Sequence, residues 1–300
     1  MRVNPNFSAD MVNLLNYAQQ AQDNAAQELS TGRRVNQPSD DPAAEAAMVQ
    51  ENSLSAAVDQ YTANSDSLTD VLNTGDSTLS SVVTLLQRAV TLGVEGANGT
   101  NNQTDLNSIA AEVSTIQSQM LSLANTSYAG QYLFAGTATG TAPYVADPTT
   151  GAITYVGNGS QNKVQVGTGL SVATNLPGSS IFSQPNDPNT TVFTALQSLI
   201  TALQSGNSSG ITAAEGQVSD SLNAVNTAQV FYGSTVDELT TNENYLAQEK
   251  LNITTYENTL VSADTATAAA DAAQAQTVLT TTVAATAQID QQVNLLTYLH

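Results

Sequence analysis

The sequence contains no cysteine and no tryptophan, and its one histidine is His300, the last residue. Without cysteine the chain can form no disulfide and can offer no thiolate nucleophile or metal ligand. A Ser–His–Asp arrangement would have to use that terminal histidine as its base. Lys163 and Lys250, the two lysines, lie outside any glycine-rich phosphate loop. These absences argue against an enzyme, and we expect no cofactor and no metal.

Basic residues are scarce as well: six Lys and Arg stand against 26 Asp and Glu, a formal net charge of −20. Binding to nucleic acid, or to an anionic membrane surface, requires clustered basic side chains. No stretch of eighteen consecutive apolar residues occurs, and the first residues lack the apolar core of a cleaved secretory signal. We therefore expect no nucleic-acid partner, no membrane insertion and no cleaved signal peptide.

The longest regular pattern is a stripe that advances by steps of four and three, a mean period of about 3.5 residues that is typical of a coiled-coil seam. At ~1.5 Å per residue, one helix carrying it would be about 70 Å long and would need partner helices. Ser55 is left outside the stripe, whose predicted members are Ala47, Glu51, Leu54, Val58, Tyr61, Ser65, Leu68, Leu72, Gly75, Leu79, Val82, Leu86, Ala89 and Gly93.

Similar spacing predicts further helices. A first helix over 8–30 ends at Gly32, and Asp41 with Pro42 reads as the N-cap and first residue of the long helix. A third helix begins at about Thr104, and a short one covers 192–203. A second long helix begins at about Gly210, with no proline to stop it before the chain ends, and its seven-residue repeat consists of Val225, Tyr232, Leu239, Leu246, Ile253 and Leu260.

The period changes after Tyr128. The stretch 130–136 is aromatic and bounded by glycines, and 144–145 and 153–156 flank a turn at 147–151, which predicts a β-hairpin. We predict three domains: a terminal helical domain (1–33 with 262–300), a long-helix bundle (34–137 with 188–261) and a β-rich domain (138–187).

The predicted fold is mainly α with a small β-rich insertion, an elongated antiparallel bundle of long coiled-coil-like helices whose N- and C-terminal helices pair at one end. The terminal stripes are narrow, and from 263 to 287 the side chains shrink to Ala, Thr and Ser, with Ala273 expected in a close-packed seam. Such helices need other subunits to complete their packing. We predict assembly, within and between subunits, through Leu15, Ala18, Ala25, Leu29, Ile289, Val293, Leu296 and Leu299.

A few residues could carry chemistry instead. Asp40 and Asp41 could bind Ca²⁺, but helix capping explains Asp41 more simply. Arg33 and Arg34 could contact an anion; we interpret them as complementing a helix C-terminus or pairing with an acid. The aromatic side chains of 132 and 134 could stack on a sugar or base, although a packing role is the simpler interpretation.

Residues 29–43, Leu-Ser-Thr-Gly-Arg-Arg-Val-Asn-Gln-Pro-Ser-Asp-Asp-Pro-Ala, closely resemble the N-terminal signature of the bacterial flagellin superfamily. Its two prolines are similar to those of the hook-associated branch. The stretches 128–136, 284–289 and 295–299 extend the resemblance along the chain, whereas Thr280-Thr281-Thr282 departs from the more apolar pattern expected there. The signature residues are Gly32, Arg33, Asn36, Asp40, Asp41, Pro42, Tyr132, Phe134 and Gly136.

The resemblance implies a structural subunit of the bacterial flagellum at the junction of hook and filament, outside the cell, exported by the flagellar type III apparatus. It implies that the terminal helical domain is the polymerisation domain and that the β-rich domain is the outer domain. It also implies partners: further copies in a ring, a neighbouring hook-associated junction protein, flagellin and an export chaperone. Two alternatives remain open. One is a filament flagellin, and the other is an adhesin-like binding module that uses the β-rich insertion.

Overall fold

The computed structural model describes residues 7–184 and 187–296. Within these ranges, the side chains of residues 7, 8, 11, 187–189 and 289–296 are not described. The helices are α1 (Phe7–Thr31), α2 (Pro42–Gly96), α3 (Gln103–Ala124), α4 (Gly178–Ile181), α5 (Val192–Gln204), α6 (Ser208–Val261) and α7 (Thr265–Leu296). The predicted mainly α fold with long helices is confirmed.

Eight short strands pair in sequence order as four two-stranded antiparallel sheets within the described ranges. The strands are β1 (Ser127–Tyr128), β2 (Gln131–Tyr132), β3 (Tyr144–Ala146), β4 (Ile153–Tyr155), β5 (Lys163–Gly167), β6 (Leu170–Ala173), β7 (Ser183–Gln184) and β8 (Asp187–Thr191). The predicted hairpin is confirmed as β3–β4, where Asp147 Oδ1 accepts the Thr149 and Thr150 N–H groups and so fixes the turn. The β1–β2 pair lies before residue 138.

The chain divides into two compact units, Met1–Ala57 with Gln248–His300, and Val58–Ala247. Below they are called the terminal unit and the central unit. Both boundaries fall inside long helices, one in α2 and the other in α6. The three-domain division made from the sequence stays a prediction.

In the central unit, the α2 stripe is buried as predicted. Its leucines at 68, 72, 79 and 86 are inaccessible or nearly so, as are Val82 and Ala89. The seven-residue repeat of α6 is buried in the same core at Val225, Tyr232 and Leu239. Contacts at Gly75 with Tyr232 and at Gly93 with Glu215 make α2 and α6 antiparallel neighbours.

The start of α2, in the terminal unit, departs from the predicted stripe. Leu54 is 45% exposed, whereas Ser55, which was placed outside the stripe, is half-buried. Lys250 on α6 donates a hydrogen bond from Nζ to Ser55 Oγ at 2.7 Å. The prediction for Leu54 and Ser55 is therefore wrong, because a polar contact to α6 sets which face of α2 turns inward here.

Helices α3 and α5 complete the central core. Asn102 caps α3 by accepting the Thr104 and Asp105 N–H groups, and the short turn before it makes α3 antiparallel to α2. An ion pair of 2.7 Å joins Arg88 Nε to Glu112 Oε1 across these helices. Gln117 reaches α5 by donating to the Phe193 carbonyl at 3.1 Å.

The β-rich segment shares this core. The Tyr144 ring lies 5.5 Å from the Phe182 ring and 5.0 Å from that of Phe193. Burial raises the pKa of the Tyr144 hydroxyl far above its usual value. Side chains from β3, β5 and β6 therefore pack with the helices in one hydrophobic cluster.

The second long helix does not continue to the end of the described chain. It stops at Val261, and a new helix starts at Thr265. Asp264 caps that new helix, since its Oδ1 accepts the Ala266 N–H at 2.9 Å. The lack of proline alone does not mark this break, whereas the N-cap carboxylate of Asp264 does, because it starts a new helix.

Candidate assembly site

Helices α1 and α7 pack against each other in the terminal unit. Gln22 Nε2 donates to Gln276 Oε1 at 3.0 Å, and the helices run antiparallel. The buried side chains are alanines spaced by seven: Ala18 and Ala25 on α1, and Ala268 and Ala275 on α7. The inner face of the pair is therefore a seam of small residues.

Larger apolar side chains on the same two helices face solvent. Tyr17 is 72% exposed, and a set of six on α1 and α7 lies between 43% and 72%: Val12, Leu14, Tyr17, Leu29, Val278 and Val283. Burial of apolar surface is worth roughly 25 cal/mol per Å², and an alanine seam uses little of it. The pair thus leaves these six apolar side chains partly or largely uncovered within the described chain.

The predicted assembly residues fall on both sides of this division. Ala18 and Ala25 form the seam, Leu15 is half-buried, and Leu29 is exposed. The predicted partners Ile289, Val293, Leu296 and Leu299 lie outside the described side chains. Ala273 does not lie in the seam, since it is exposed and Ala275 takes the buried position.

Backbone hydrogen bonds join the connector after α1 to the one before α7. The Arg34 N–H donates to the Val261 carbonyl at 2.7 Å, and the Ala263 N–H donates to the Gly32 carbonyl at 2.9 Å. Arg33 and Ser262 form an antiparallel bridge between them. Gly32 closes α1 with a φ of +67°, a conformation that disfavours any side chain. The connector after α1 and the connector before α7 thus pair with each other, and this two-stranded connection is called the joint below.

The Arg34 side chain ties this joint to the ends of α2 and α6. Its Nη2 donates to Asp41 Oδ2 at 3.1 Å and to the Leu260 carbonyl at 2.9 Å. Asp41 Oδ1 accepts the Ala44 N–H at 3.0 Å, so Asp41 caps α2 as predicted. That N–H, and then the Arg34 guanidinium, lower the pKa of the Asp41 carboxyl. Arg34 combines the two roles expected of it, pairing with an acid and completing a helix C-terminus.

Asp40 has a structural role that the sequence interpretation missed. Its Oδ2 accepts the Asn36 and Gln37 N–H groups at 3.0 and 2.8 Å, and Asn36 Nδ2 donates to the Arg33 carbonyl at 2.7 Å. The sequence offered one signal for this turn, an acidic residue that follows Asn36 by four positions and Gln37 by three. The Arg33 side chain is exposed, and Pro42 begins α2 as predicted.

The joint also has a small apolar core that the sequence did not indicate. Val35 is buried against Ala44, Met48 and Val261 in a cluster separate from the main one. Val35 is a single apolar residue in a polar connector, so periodicity carries no information about it. Its burial explains how an exposed loop holds a fixed conformation.

The aromatic signature lies in the central unit as a packing element. Phe134 is fully buried and meets the Phe182 ring edge-on at 5.6 Å, while Tyr132 is half-buried. Gly136 has a φ of +69°, and an added Cβ would collide with the Asn158 carbonyl oxygen. This glycine is needed both for its backbone conformation and for its lack of a side chain.

The structure offers no evidence of a metal centre in the part of the chain that it describes. No group of three or more His, Cys, Asp or Glu side chains is placed there to hold a metal ion. No helix among the described residues is long and apolar enough to span a membrane.

Comparison with known proteins gives matches to flagellar proteins. The family described as the bacterial flagellin N-terminal helical region matches residues 3–139. The chain is 34% identical over 189 residues to flagellar hook-associated protein 3 of Escherichia coli, covering 59% of this chain and 58% of that protein. It is 31% identical over 236 residues to flagellar hook-associated protein 3 of Salmonella typhimurium, covering 72% of this chain and 73% of that protein.

A solved structure has the same fold. The flagellar junction protein FlgL of Legionella pneumophila superposes with a TM-score of 0.60 at 16% identity, over 72% of this chain and 100% of that one. The same family is indicated by the signature residues, by the paired terminal helices and by the match to the Salmonella protein. The chain belongs to the hook-associated protein 3 family of the bacterial flagellin superfamily.

Proposed function

We propose that this protein is a structural, non-catalytic subunit of the junction between the flagellar hook and filament, and that it assembles through α1 and α7. The observation that carries the proposal is the exposed apolar surface of that helix pair, since Tyr17 and the five other side chains named above remain exposed while only alanines fill the seam. Contacts with other subunits would bury this surface, in the way that coiled-coil assemblies complete narrow stripes.

Membership of the family supports the following partners for this proposal. Copies of the chain form a ring, which lies between a neighbouring hook-associated junction protein and flagellin. An export chaperone covers the terminal helices before the type III apparatus delivers the chain outside the cell. A chaperone in this role is supported by the exposed apolar side chains, which would otherwise associate before export.

The test is a pair of substitutions on the exposed face, Leu14→Ser with Tyr17→Ser, in a strain that lacks the native copy. We expect the variant to be secreted and folded but absent from the junction, so that filaments detach and motility is lost. Immunogold labelling of isolated flagella locates the protein, and the culture supernatant reports secretion.

A matched control is Val230→Ser with Tyr245→Ser on α6, since these side chains are 69% and 64% exposed in the central unit. This control should retain a narrow band of label at the hook–filament boundary. If the α1 variant also retained that band with normal motility, assembly through the terminal pair would be disproved.

The two alternatives give different outcomes. A filament flagellin would extend flagellin seeds into long homopolymers of this chain, whereas a junction subunit adds only a short segment. An adhesin-like module would lose surface attachment, with motility preserved, when exposed residues of the β-rich segment such as Val145 and Leu170 are made polar.

A further inference from the structure

A groove in the central unit runs between α2 and the β-rich segment. It consists of two adjoining cavities of about 230 and 540 Å³, which share Ser67, Val71, Gln131, Thr139, Asn162 and Thr174. Sites for small ligands fall in the range of roughly 300–1,000 Å³. The groove is therefore large enough for an organic ligand of several rings.

Hydrogen bonds within the protein hold the walls of this groove in place. Asn175 is almost fully buried, donates to the Leu133 and Gly136 carbonyls at 3.3 and 3.0 Å, and accepts the Asn162 N–H at 3.1 Å. On the opposite wall, Asn64 Nδ2 donates to the Gln165 carbonyl at 2.8 Å. These bonds hold the backbone of the groove in place, so that only exposed side chains have to become ordered when a ligand binds.

Other polar groups of the groove have no partner in the described chain. The side chains of Ser67, Gln131 and Lys163 are exposed and make no hydrogen bond or ion pair with another described residue. They supply a hydroxyl, a planar amide and an ammonium group, which can together donate and accept. The Tyr132 ring, half-buried, forms part of the same wall.

This combination matches the chemistry of sugars. Saccharide hydroxyls pair with amides and hydroxyls, the C–H face of a sugar ring packs on an aromatic ring, and an ammonium group binds a carboxylate. Lys163 is one of only six basic residues in a chain of net charge −20, so a polyanion such as nucleic acid would be repelled overall. A short ligand with one carboxylate meets much less of that repulsion than a polyanion does.

We infer that this groove binds a short oligosaccharide that carries a carboxylate, with Tyr132 packing on a sugar ring, Ser67 and Gln131 bonding to hydroxyls, and Lys163 pairing with the acid. The inference does not depend on the assembly proposed above, because every residue named lies in the central unit.

The test is titration of the full chain with sialyllactose and with lactose, followed by saturation-transfer NMR and calorimetry. We expect sialyllactose to bind more tightly than lactose. Lys163→Gln should weaken sialyllactose binding about ten-fold, the effect of losing one hydrogen bond to a charged group, and should leave lactose binding unchanged. Tyr132→Ala should weaken binding of both sugars.

Arg88→Gln is the matched control, since it removes one positive charge from the same unit at an exposed ion pair outside the groove. It should bind both sugars like the native chain, and thermal melts should verify that all variants fold. The inference is overturned if neither sugar binds at millimolar concentration, or if Lys163→Gln and Arg88→Gln behave alike. Preferential, Lys163-dependent binding of a polyglutamate peptide would also overturn it, in favour of a polypeptide partner.

Discussion

Gly75 on α2 lies directly against the ring of Tyr232 on α6. A Cβ added at Gly75 would stand 2.5 Å from Tyr232 Cε1. The ring has little freedom to move, because it is nearly inaccessible and its hydroxyl accepts the Leu176 N–H at 3.4 Å. Burial in this position raises the pKa of the Tyr232 hydroxyl to about 12. A glycine that weakens a helix locally is thus what allows the two long helices to approach.

Gly75→Ala should therefore destabilise the central unit by about 1–3 kcal/mol, the usual effect of overpacking, even though alanine is the better helix former. Thermal or urea unfolding followed by circular dichroism measures the change. Gly233→Ala is the control, because α6 has open space at that position and alanine should stabilise it by about 0.5–1 kcal/mol. Equal effects of the two substitutions would show that the Tyr232 contact is unimportant.

Asp41→Ala should lower the melting temperature of the terminal unit by a few degrees, because α2 loses its N-cap and Arg34 loses an ion-pair partner. Asp41→Asn keeps a side-chain oxygen that can accept the Ala44 N–H, so its effect should be smaller. Limited proteolysis in the 32–41 connector reports the loosening of the joint, and faster cleavage of Asp41→Ala than of Asp41→Asn is the expected order.

The Asp41 contribution should also depend on pH. Its folded-state pKa is lowered from 3.8, so the ionised carboxylate stabilises the folded chain. This stability is fully present above pH 3.8 and is lost as the pH falls through the folded pKa. The difference in cleavage rate between the native chain and Asp41→Ala should therefore shrink on acidification. A difference that grew at low pH would contradict the capping role.

Glu243→Gln should raise the melting temperature at neutral pH. Partial burial, and then the negative charge of Asp66, raise the pKa of the Glu243 carboxyl from 4.5, so ionisation costs the folded chain stability. This cost is complete above the folded pKa and disappears as the pH falls to 4.5 and below. The melting difference between variant and native chain should therefore be largest near pH 7 and vanish near pH 4.

Glu238→Gln on the same helix is the control, since Glu238 is exposed. Most exposed substitutions change stability by less than about 0.5 kcal/mol. If both variants gained equally at pH 7, relief of the overall negative charge would explain the result, and a local effect of Asp66 would be excluded.

Periodicity predicted the parts of this fold that repeat. From Val58 to Gly93 the α2 stripe is buried at every predicted position except Tyr61, which is half-buried, and the α6 heptad is buried from Val225 to Ile253. Both depend on one continuous apolar face, which a sequence displays directly. The positions of Leu54 and Ser55 could not be predicted in this way, because Ser55 accepts a hydrogen bond from Lys250 on α6, far away in sequence.

The joint shows a different limit. Capping by Asp41 is local and could be predicted, whereas the partners of Arg34 depend on Leu260, which is 226 residues away in sequence. The start of α7 has a local signal, since Asp264 stands directly before Thr265 and caps the new helix. In α7 the sequence predicts Ala273 in the seam, whereas Ala275 is the buried residue. A run of Ala and Thr has almost no contrast in hydrophobicity, so its pattern does not show which side of the helix is buried.

Ala275→Leu should separate the terminal helices, because the buried position faces α1 across a seam that fits alanine. Inserting a larger side chain into a packed position costs about 1–3 kcal/mol, and this pair has little other buried surface to offset it. Hydrogen exchange of the α1 amides around Ala18 and Ala25 measures the effect, and we expect them to lose protection while α3 and α5 keep theirs. Ala273→Leu is the control, because residue 273 is exposed in the described chain and its substitution should leave α1 protected. If the two variants lost protection to the same extent, helix α7 would have to face α1 with a different side, and the alanines spaced by seven would not be the seam.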